Sequence, residues 1–157
     1  MNFKIETGYR LNVAMIVLNE ENKSLFCKRR NTENWQFPQG GVDDEEPIET
    51  AMYRELKEEV GLNKDNVEII AISKDLIYYD IPKNIRTRVL GGKYKGQAQK
   101  YFLLKHISGD IDLNVENIPE FDQYSWVPFW YPLNQVVDFK KEAYRSALIE
   151  FKNQISK

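Results

Sequence analysis

Three glutamates, Glu55, Glu58 and Glu59, have the spacing that most directly indicates chemistry in this sequence. They fall in segment 47–60, which is typical of a helix because its first residue is a proline and Gly61 follows it. On a helix, residues at i, i+3 and i+4 lie on one face, so the three carboxylates repel one another. Hard divalent cations such as Mg²⁺ bind carboxylate oxygens. The spacing therefore predicts a divalent-metal site.

A solvated acidic surface is the alternative explanation, because most charge runs lie on solvated faces. At about 100° per residue, however, the three glutamates fall beside the apolar stripe of the helix and not opposite it. That stripe consists of Ile48, Met52, Leu56 and Val60. The outward face is better filled by Thr50, Tyr53 and Lys57. Carboxylates at the boundary of the core indicate the floor of a cleft.

The same helix belongs to a longer pattern that starts at Gly40 and ends at Leu62. Glu46 follows six residues after the glycine, and the run RELKEEVGL starts at Arg54. Every fixed position of G-x5-E-x7-R-E-U-x-E-E-x-G-U, the Nudix box with U an aliphatic residue, is present. The chain therefore resembles the Nudix hydrolases. The acidic loop 43–45 replaces a Pro-Gly type of turn that is common in that family, and it leaves the box intact.

The resemblance implies roles for the acidic residues of the box. Glu58 and Glu59 would be the principal metal ligands, and Glu55 would be a further ligand or the general base that acts on water. The Gly40 carbonyl would complete a metal site. The metal would be Mg²⁺, Mn²⁺ or another divalent cation, and it would polarise phosphoryl oxygens and lower the pKa of bound water.

Two further residues of the box have structural roles under the same resemblance. Arg54 would orient Glu58, which it reaches at i+4. Glu46 would tie the loop to the start of the helix, near the positive end of the helix dipole. An acid at a helix N-terminus with no part in the chemistry is the alternative for Glu46.

Segments outside the box resemble the bacterial RNA 5′-pyrophosphohydrolases over nearly the whole chain. These segments are 8–10, 35–41, 99–104, 119–122 and 126–140. The match adds Glu120 as a candidate metal ligand or base, with a solvated turn residue as the alternative. It also points to Arg10, Arg29 and Lys140 as contacts to phosphate or RNA. An Arg side chain binds phosphate oxygens bidentately, whereas Lys acts as a point charge.

The resemblance implies that RNA loses pyrophosphate from its 5′-triphosphate end, which leaves a monophosphate and exposes the RNA to decay. A hydrolase of dinucleoside polyphosphates, such as diadenosine tetra- or pentaphosphate, is a similar alternative. A Nudix-like module that binds a nucleotide without cutting it is an alternative of another class. The intact set of Glu55, Glu58 and Glu59 favours the enzymes, since a pure binder does not need a base.

The composition is that of a soluble globular protein, with 42% hydrophobic and 29% charged residues in 157 and a net charge of −2. One domain over residues 1–157 is expected. Cys27 is the only cysteine and lies in an apolar run, so we expect a core residue. No apolar run approaches the length of a membrane span, and a cytoplasmic setting is the default. DNA is not an expected partner, and the oligomeric state is left open.

Strands that surround one helix and a second helical region near the end predict an α/β (α+β) layered domain. Strands are predicted at 13–18, 25–28, 67–73, 76–81, 100–106 and 124–129. A last helical region is predicted at 133–155. Residues 83–99 are basic and glycine-containing and lack clean periodicity, so they predict a long loop. The resemblance makes the fold a mixed, curved β-sheet sandwiched between helices, with the box at one end of the sheet.

Overall fold

The computed structural model describes residues 4–155, and within them eight strands form one mixed sheet. The strands are β1 (Tyr9–Leu18), β2 (Ser24–Arg29), β3 (Trp35–Gln36), β4 (Gln39–Gly41), β5 (Val67–Ile72), β6 (Ile77–Asp80), β7 (Gly96–His106) and β8 (Phe121–Val127). Strands β1 and β7 run parallel at the centre, and the other pairings of the sheet are antiparallel. The predicted mixed sheet is confirmed.

Strand β1 separates two apolar cores, because successive side chains of a strand point to opposite faces. Val13, Met15 and Val17 pack on the side of helix α1 (Ile48–Val60). Ala14, Ile16 and Leu18 pack on the other side, which is covered by helices α2 (Tyr131–Gln135) and α3 (Lys141–Phe151). Helices therefore cover both faces of the sheet, as the resemblance implied.

Helix α1 has the ends that its sequence predicted. Pro47 is the N-cap residue in an extended conformation, and Gly61 ends the helix with φ 75°. The Gly61 N–H donates to the Lys57 carbonyl, so a left-handed residue closes the last turn. Met52, Leu56 and Val60 are fully buried in the core on this side of the sheet.

The interpretation of residues 83–99 as one long loop is wrong. Two 3-10 segments, Lys83–Arg88 and Leu90–Gly92, replace its first part, and β7 already begins at Gly96. Ile85 and Val89 pack against a small core that includes Tyr79. These local apolar contacts and the pairing of β7 with β1 order a segment whose sequence has no clean period.

Other elements also differ from prediction, and β1 already begins at Tyr9, four residues early. The last helical region is broken at Val136 and Val137, and the 3-10 segment Asp138–Lys140 separates its two parts. Strand β8 begins at Phe121, three residues early, because it pairs with β2. Strand β4 was not predicted, since Gln39–Gly41 contains two glycines and becomes a strand by pairing with β1.

Candidate active site

Glu59, on helix α1, lines a cleft together with the residues of strand β4. Its carboxylate is buried, with 8% of the residue exposed, and Oε1 accepts a hydrogen bond from the Gln39 backbone N–H at 3.0 Å. Burial raises the pKa of Glu59 well above its usual range, and the nearby carboxylates of Glu55 and Glu120 raise it further. A buried carboxylate among other carboxylates destabilises the apo protein and favours a bound cation.

Glu55 lies directly against the backbone of Gly40. A Cβ atom at this glycine would lie 2.1 Å from Oε2 of Glu55, so only glycine leaves room for the carboxylate. The Arg54 guanidinium donates to Oε1 of Glu55 at 2.8 Å. Burial raises the pKa of Glu55 to about 6, although Arg54 opposes the shift.

Glu58 shares the Nη1 atom of Arg54 with Glu55, but its side chain does not line the cleft that Glu55 and Glu59 line. Arg54 Nη1 donates to it at 3.3 Å, as predicted for a pair at i and i+4. Its side chain lines a separate outer depression together with Tyr53, Lys57 and Glu116. Its metal-binding role stays a prediction.

Arg54 ties the loop before the helix to the carboxylates on the helix. Its Nε and Nη2 atoms donate to Glu46, each at 2.8 Å, and Nη2 also donates to the Gly41 carbonyl at 2.9 Å. Glu46 in turn accepts the Asp43 backbone N–H at 3.0 Å, and Arg54 lowers the pKa of its carboxyl. Glu46 therefore joins the loop to the helix, which is the contact predicted for it.

Replacing Arg54 with methionine should lower the free energy of unfolding by about 2 kcal/mol, because Glu46 and Glu55 are largely buried and would lose their charged donor. Urea denaturation measures the change. Arg145→Met is the matched control, since Arg145 pairs with Glu142 at an exposed surface and should change stability by less than about 0.5 kcal/mol. Equal changes in the two variants would contradict the prediction.

Glu120 reaches the cleft from the loop before β8, far from helix α1 in sequence. Arg29 Nε lies 3.5 Å from its Oε2 atom. Two hydrogen bonds from Arg30 hold this loop, one from its backbone N–H to the Glu120 carbonyl and one from Nε to the Pro119 carbonyl. The end of β2, which carries Arg29, and the loop that carries Glu120 are thereby fixed to each other.

Lys140 supplies a buried positive charge to the same cleft. It is 7% exposed, donates to Gln36 Oε1 at 3.0 Å and lies 5.5 Å from the centre of the Tyr79 ring. Burial lowers its pKa to about 8, Arg29 lowers it further, and the carboxylates of Glu120 and Glu59 oppose the shift. No ion pair holds its ammonium group within the part of the chain that the structure describes.

One cleft of about 560 Å³ brings these groups together. The predicted site residues along its wall are Arg10, Arg29, Gly40, Glu55, Glu59, Glu120 and Lys140. Glu46, Arg54 and Glu58 lie outside it. Carboxylates and cationic side chains that line one cleft suit a polyphosphate that meets a cation.

Sequence reasoning missed a row of polar residues in the same region. Tyr79, Gln97 and Arg88 line the cleft, and Gln99 lies behind it. Tyr79 falls in a segment that predicts a strand, and Arg88 and Gln97 fall in the segment that predicts a loop. Polar residues at every second position of 97–101 were an available signal, since period-2 alternation indicates a strand.

The position of the Arg10 side chain explains why residue 41, the second residue of the pair Gly40-Gly41, is a glycine. A Cβ atom at Gly41 would lie 2.1 Å from Nη2 of Arg10, so the guanidinium occupies the space that a side chain would need.

We expect Gly41→Ala to displace this guanidinium and to raise KM for a triphosphate substrate about tenfold, the value of one charge-assisted hydrogen bond. Steady-state kinetics measures it. In an Arg10→Gln background the same alanine should have no further effect, and an additive loss would contradict the assignment.

The carboxylates that line the cleft are the type of ligand that hard divalent cations bind. Glu55, Glu59 and Glu120 offer carboxylate oxygens, and their mutual repulsion is what a cation would offset. Among residues 4–155, no three Asp, Glu, His or Cys side chains converge as a metal-binding group. In this conformation the carboxylates bind Arg54, Arg29 and the Gln39 N–H instead.

Residues 8–150 match the NUDIX domain. The chain belongs to this family. Nudix hydrolases generally use divalent cations, in agreement with the donor chemistry of the cleft. The chain is 50% identical over 153 residues to an RNA pyrophosphohydrolase of Francisella tularensis subsp. mediasiatica, covering 96% of this chain and 98% of that one. It is 47% identical to an RNA pyrophosphohydrolase of Pasteurella multocida, covering 92% and 74%.

Solved structures share the fold at lower identity. A MutT protein of Methanosarcina mazei superposes with a TM-score of 0.67 at 20% identity, covering 95% of this chain and 99% of that one. An Ap4A hydrolase of C. elegans gives a TM-score of 0.67 at 18% identity, covering 92% and 98%. Among the described residues, no helix has both the length and the apolar character needed to cross a bilayer.

Proposed function

We propose that this Nudix hydrolase removes pyrophosphate from the 5′-triphosphate end of RNA and leaves a 5′-monophosphate. The observation that carries the proposal is the single cleft in which Glu55, Glu59 and Glu120 face Arg10 and Lys140. The near-full-length similarity to RNA pyrophosphohydrolases supports RNA as the substrate. One domain that spans residues 1–157 and a cytoplasmic setting are part of the proposal.

The cationic groups of the cleft would hold the triphosphate. Arg10 lines the cleft with its guanidinium against Gly41, and Lys140 supplies a desolvated ammonium to the same cleft. A charge in a dry site attracts phosphate more strongly than it would in water. Arg29 lies beside Glu120, so it can bind a phosphate oxygen while it limits repulsion between that oxygen and the carboxylate.

The reaction adds water across the anhydride between the α and β phosphates. The water oxygen bonds to the α phosphorus, the bond to the bridging oxygen breaks, and pyrophosphate leaves. One of the carboxylates takes the proton, and Glu55, Glu59 and Glu120 all line the cleft. When bound, Mg²⁺ or Mn²⁺ would neutralise phosphate charge and acidify the water. Glu55 and Glu59, with the Gly40 carbonyl and Glu120, would hold the metal, and Glu58 would join from the neighbouring face of α1.

A dinucleoside polyphosphate hydrolase is the second candidate, because the same cleft would neutralise a tetraphosphate. The experiment is to incubate purified protein and Mg²⁺ with 5′-triphosphate RNA and, separately, with diadenosine tetraphosphate. We expect release of pyrophosphate and much faster turnover of the RNA. Much faster turnover of the dinucleotide would refute the RNA assignment, and tight binding without turnover of either would indicate a nucleotide-binding module.

A further inference from the structure

A chain of hydrogen-bonded amides lies at the cleft, on the face of the sheet that α3 covers. Asn12 and Gln39 line the cleft, and Gln99 lies behind them. The Gln99 side chain is fully buried, and its Nε2 donates to Asn12 Oδ1 at 2.9 Å and to Gln39 Oε1 at 3.1 Å. Gln39 Nε2 in turn lies 3.4 Å from the Tyr79 hydroxyl. These contacts join β1, β4, β6 and β7 at the end of the sheet where the candidate site lies.

The side chain at position 99 must donate two hydrogen bonds from one terminal group. The parallel register places Asn12 beside Gln99, and the antiparallel register places Gln39 beside Ala14. Both neighbours present an amide oxygen, so the NH₂ group of Gln99 satisfies both acceptors. Glutamate would place oxygens against oxygens, and methionine has no donor.

Gln39 links Gln99 to Glu59, because it contacts both residues. Its side chain is held by Gln99, while the N–H of the same residue donates to Glu59 Oε1 at 3.0 Å. Strand β4 has only three residues and pairs with β1 alone within the described sheet. Anchoring its first side chain therefore fixes the direction of the N–H that holds the Glu59 carboxylate.

We infer that Gln99 is a positioning residue, which acts through Gln39 to hold Glu59 in the orientation required for metal binding and hydrolysis. The inference rests on the proposed function, because Glu59 is there assigned as a metal ligand. Groups behind a ligand that fix its orientation typically change metal affinity or activity 10- to 100-fold when removed. Gln99 is one hydrogen bond further from the metal ligand than such a group, because it contacts Gln39 and not Glu59 itself.

The test is the affinity of the purified full-length protein for Mn²⁺ alone, measured by the EPR signal of the free ion. We expect Gln99→Met to weaken Mn²⁺ binding about fivefold to tenfold and to lower kcat by a similar factor, with KM for triphosphate RNA changed by less than about twofold. Tyr101→Phe is the matched control. Tyr101 lies two residues along the same strand, fully buried with its hydroxyl unpaired within the described residues, and its loss should leave Mn²⁺ affinity unchanged.

Gln39→Met provides a second variant that removes the same contact from a less buried position, should Gln99→Met not fold. It should weaken Mn²⁺ binding to the same extent, and in a Glu59→Gln background neither change should have a further effect. Unchanged Mn²⁺ affinity in folded variants, or an equal loss in the Glu59→Gln background, would overturn the inference. That result leaves the proposed function intact if wild-type protein still hydrolyses RNA, whereas Mn²⁺ binding without RNA turnover refutes the function alone.

Discussion

Glu59→Gln should reduce kcat for 5′-triphosphate RNA on the order of 10²- to 10³-fold, the loss typical of removing one electrostatic group at a reacting centre. The amide preserves the shape of the side chain and can still accept the Gln39 N–H. It removes the negative charge that a divalent cation requires. Steady-state release of pyrophosphate at saturating Mg²⁺ measures the effect.

The same variant should be at least as stable as wild type without metal. The raised pKa of Glu59 means that the folded state disfavours its charged form, because the carboxylate is buried beside Glu55 and Glu120. Thermal unfolding in the presence of a chelator tests this. The control is Glu49→Gln, an exposed acid in the first turn of the same helix, which should change neither activity nor stability appreciably. An active Glu59→Gln enzyme would refute the assignment of Glu59.

Lys140→Met should raise KM for triphosphate RNA about tenfold at pH 7, because it removes a desolvated charge that would bind phosphate. It should also stabilise the protein. Lowering the pKa of Lys140 from 10.5 to about 8 corresponds to about 3 kcal/mol of unfavourable burial at neutral pH. Loss of its bond to Gln36 offsets about 1 kcal/mol of the gain, so we expect about 2 kcal/mol.

The pH dependence follows from the direction of the shift. Between pH 8 and 10.5 the folded state of wild type binds fewer protons at Lys140 than the unfolded state, so its free energy of unfolding rises with pH across this window. Below pH 8 the penalty is fully present. The ammonium also loses its charge above about pH 8, so KM should rise there. Lys140→Met should remove both dependences.

Denaturation curves and KM values from pH 7 to 10 test both effects. Lys141→Met is the matched control, because the Lys141 side chain is 41% exposed and pairs with Asp138 at 3.5 Å. It should retain the pH dependence of wild type. A Lys140→Met variant whose KM and stability still follow the wild-type curves would contradict the prediction.

The ends of helix α1 and the placement of two of its glutamates could be predicted from local sequence, because their determinants are local. Pro47 and Gly61 mark its ends, and the spacing of Glu55 and Glu59 relative to the apolar residues places both at the edge of the core. The same spacing did not distinguish Glu58. The Glu58 side chain lines an outer depression instead of the cleft, and this difference depends on the surroundings of the helix.

The sequence by itself determined the family, the central helix and the residue types of the site, since these depend on short-range spacing and on a long motif. Tertiary structure alone decided which groups meet. The parallel pairing of β1 with β7 brings Asn12 and Gln99 together, 87 residues apart, and the contact of Arg30 with the 119–120 loop brings Glu120 to Arg29. Burial of Lys140, which sets its lowered pKa, likewise comes from elements distant in sequence. The three glutamates of the helix are therefore a local feature, whereas the cleft that two of them line is a product of the whole fold.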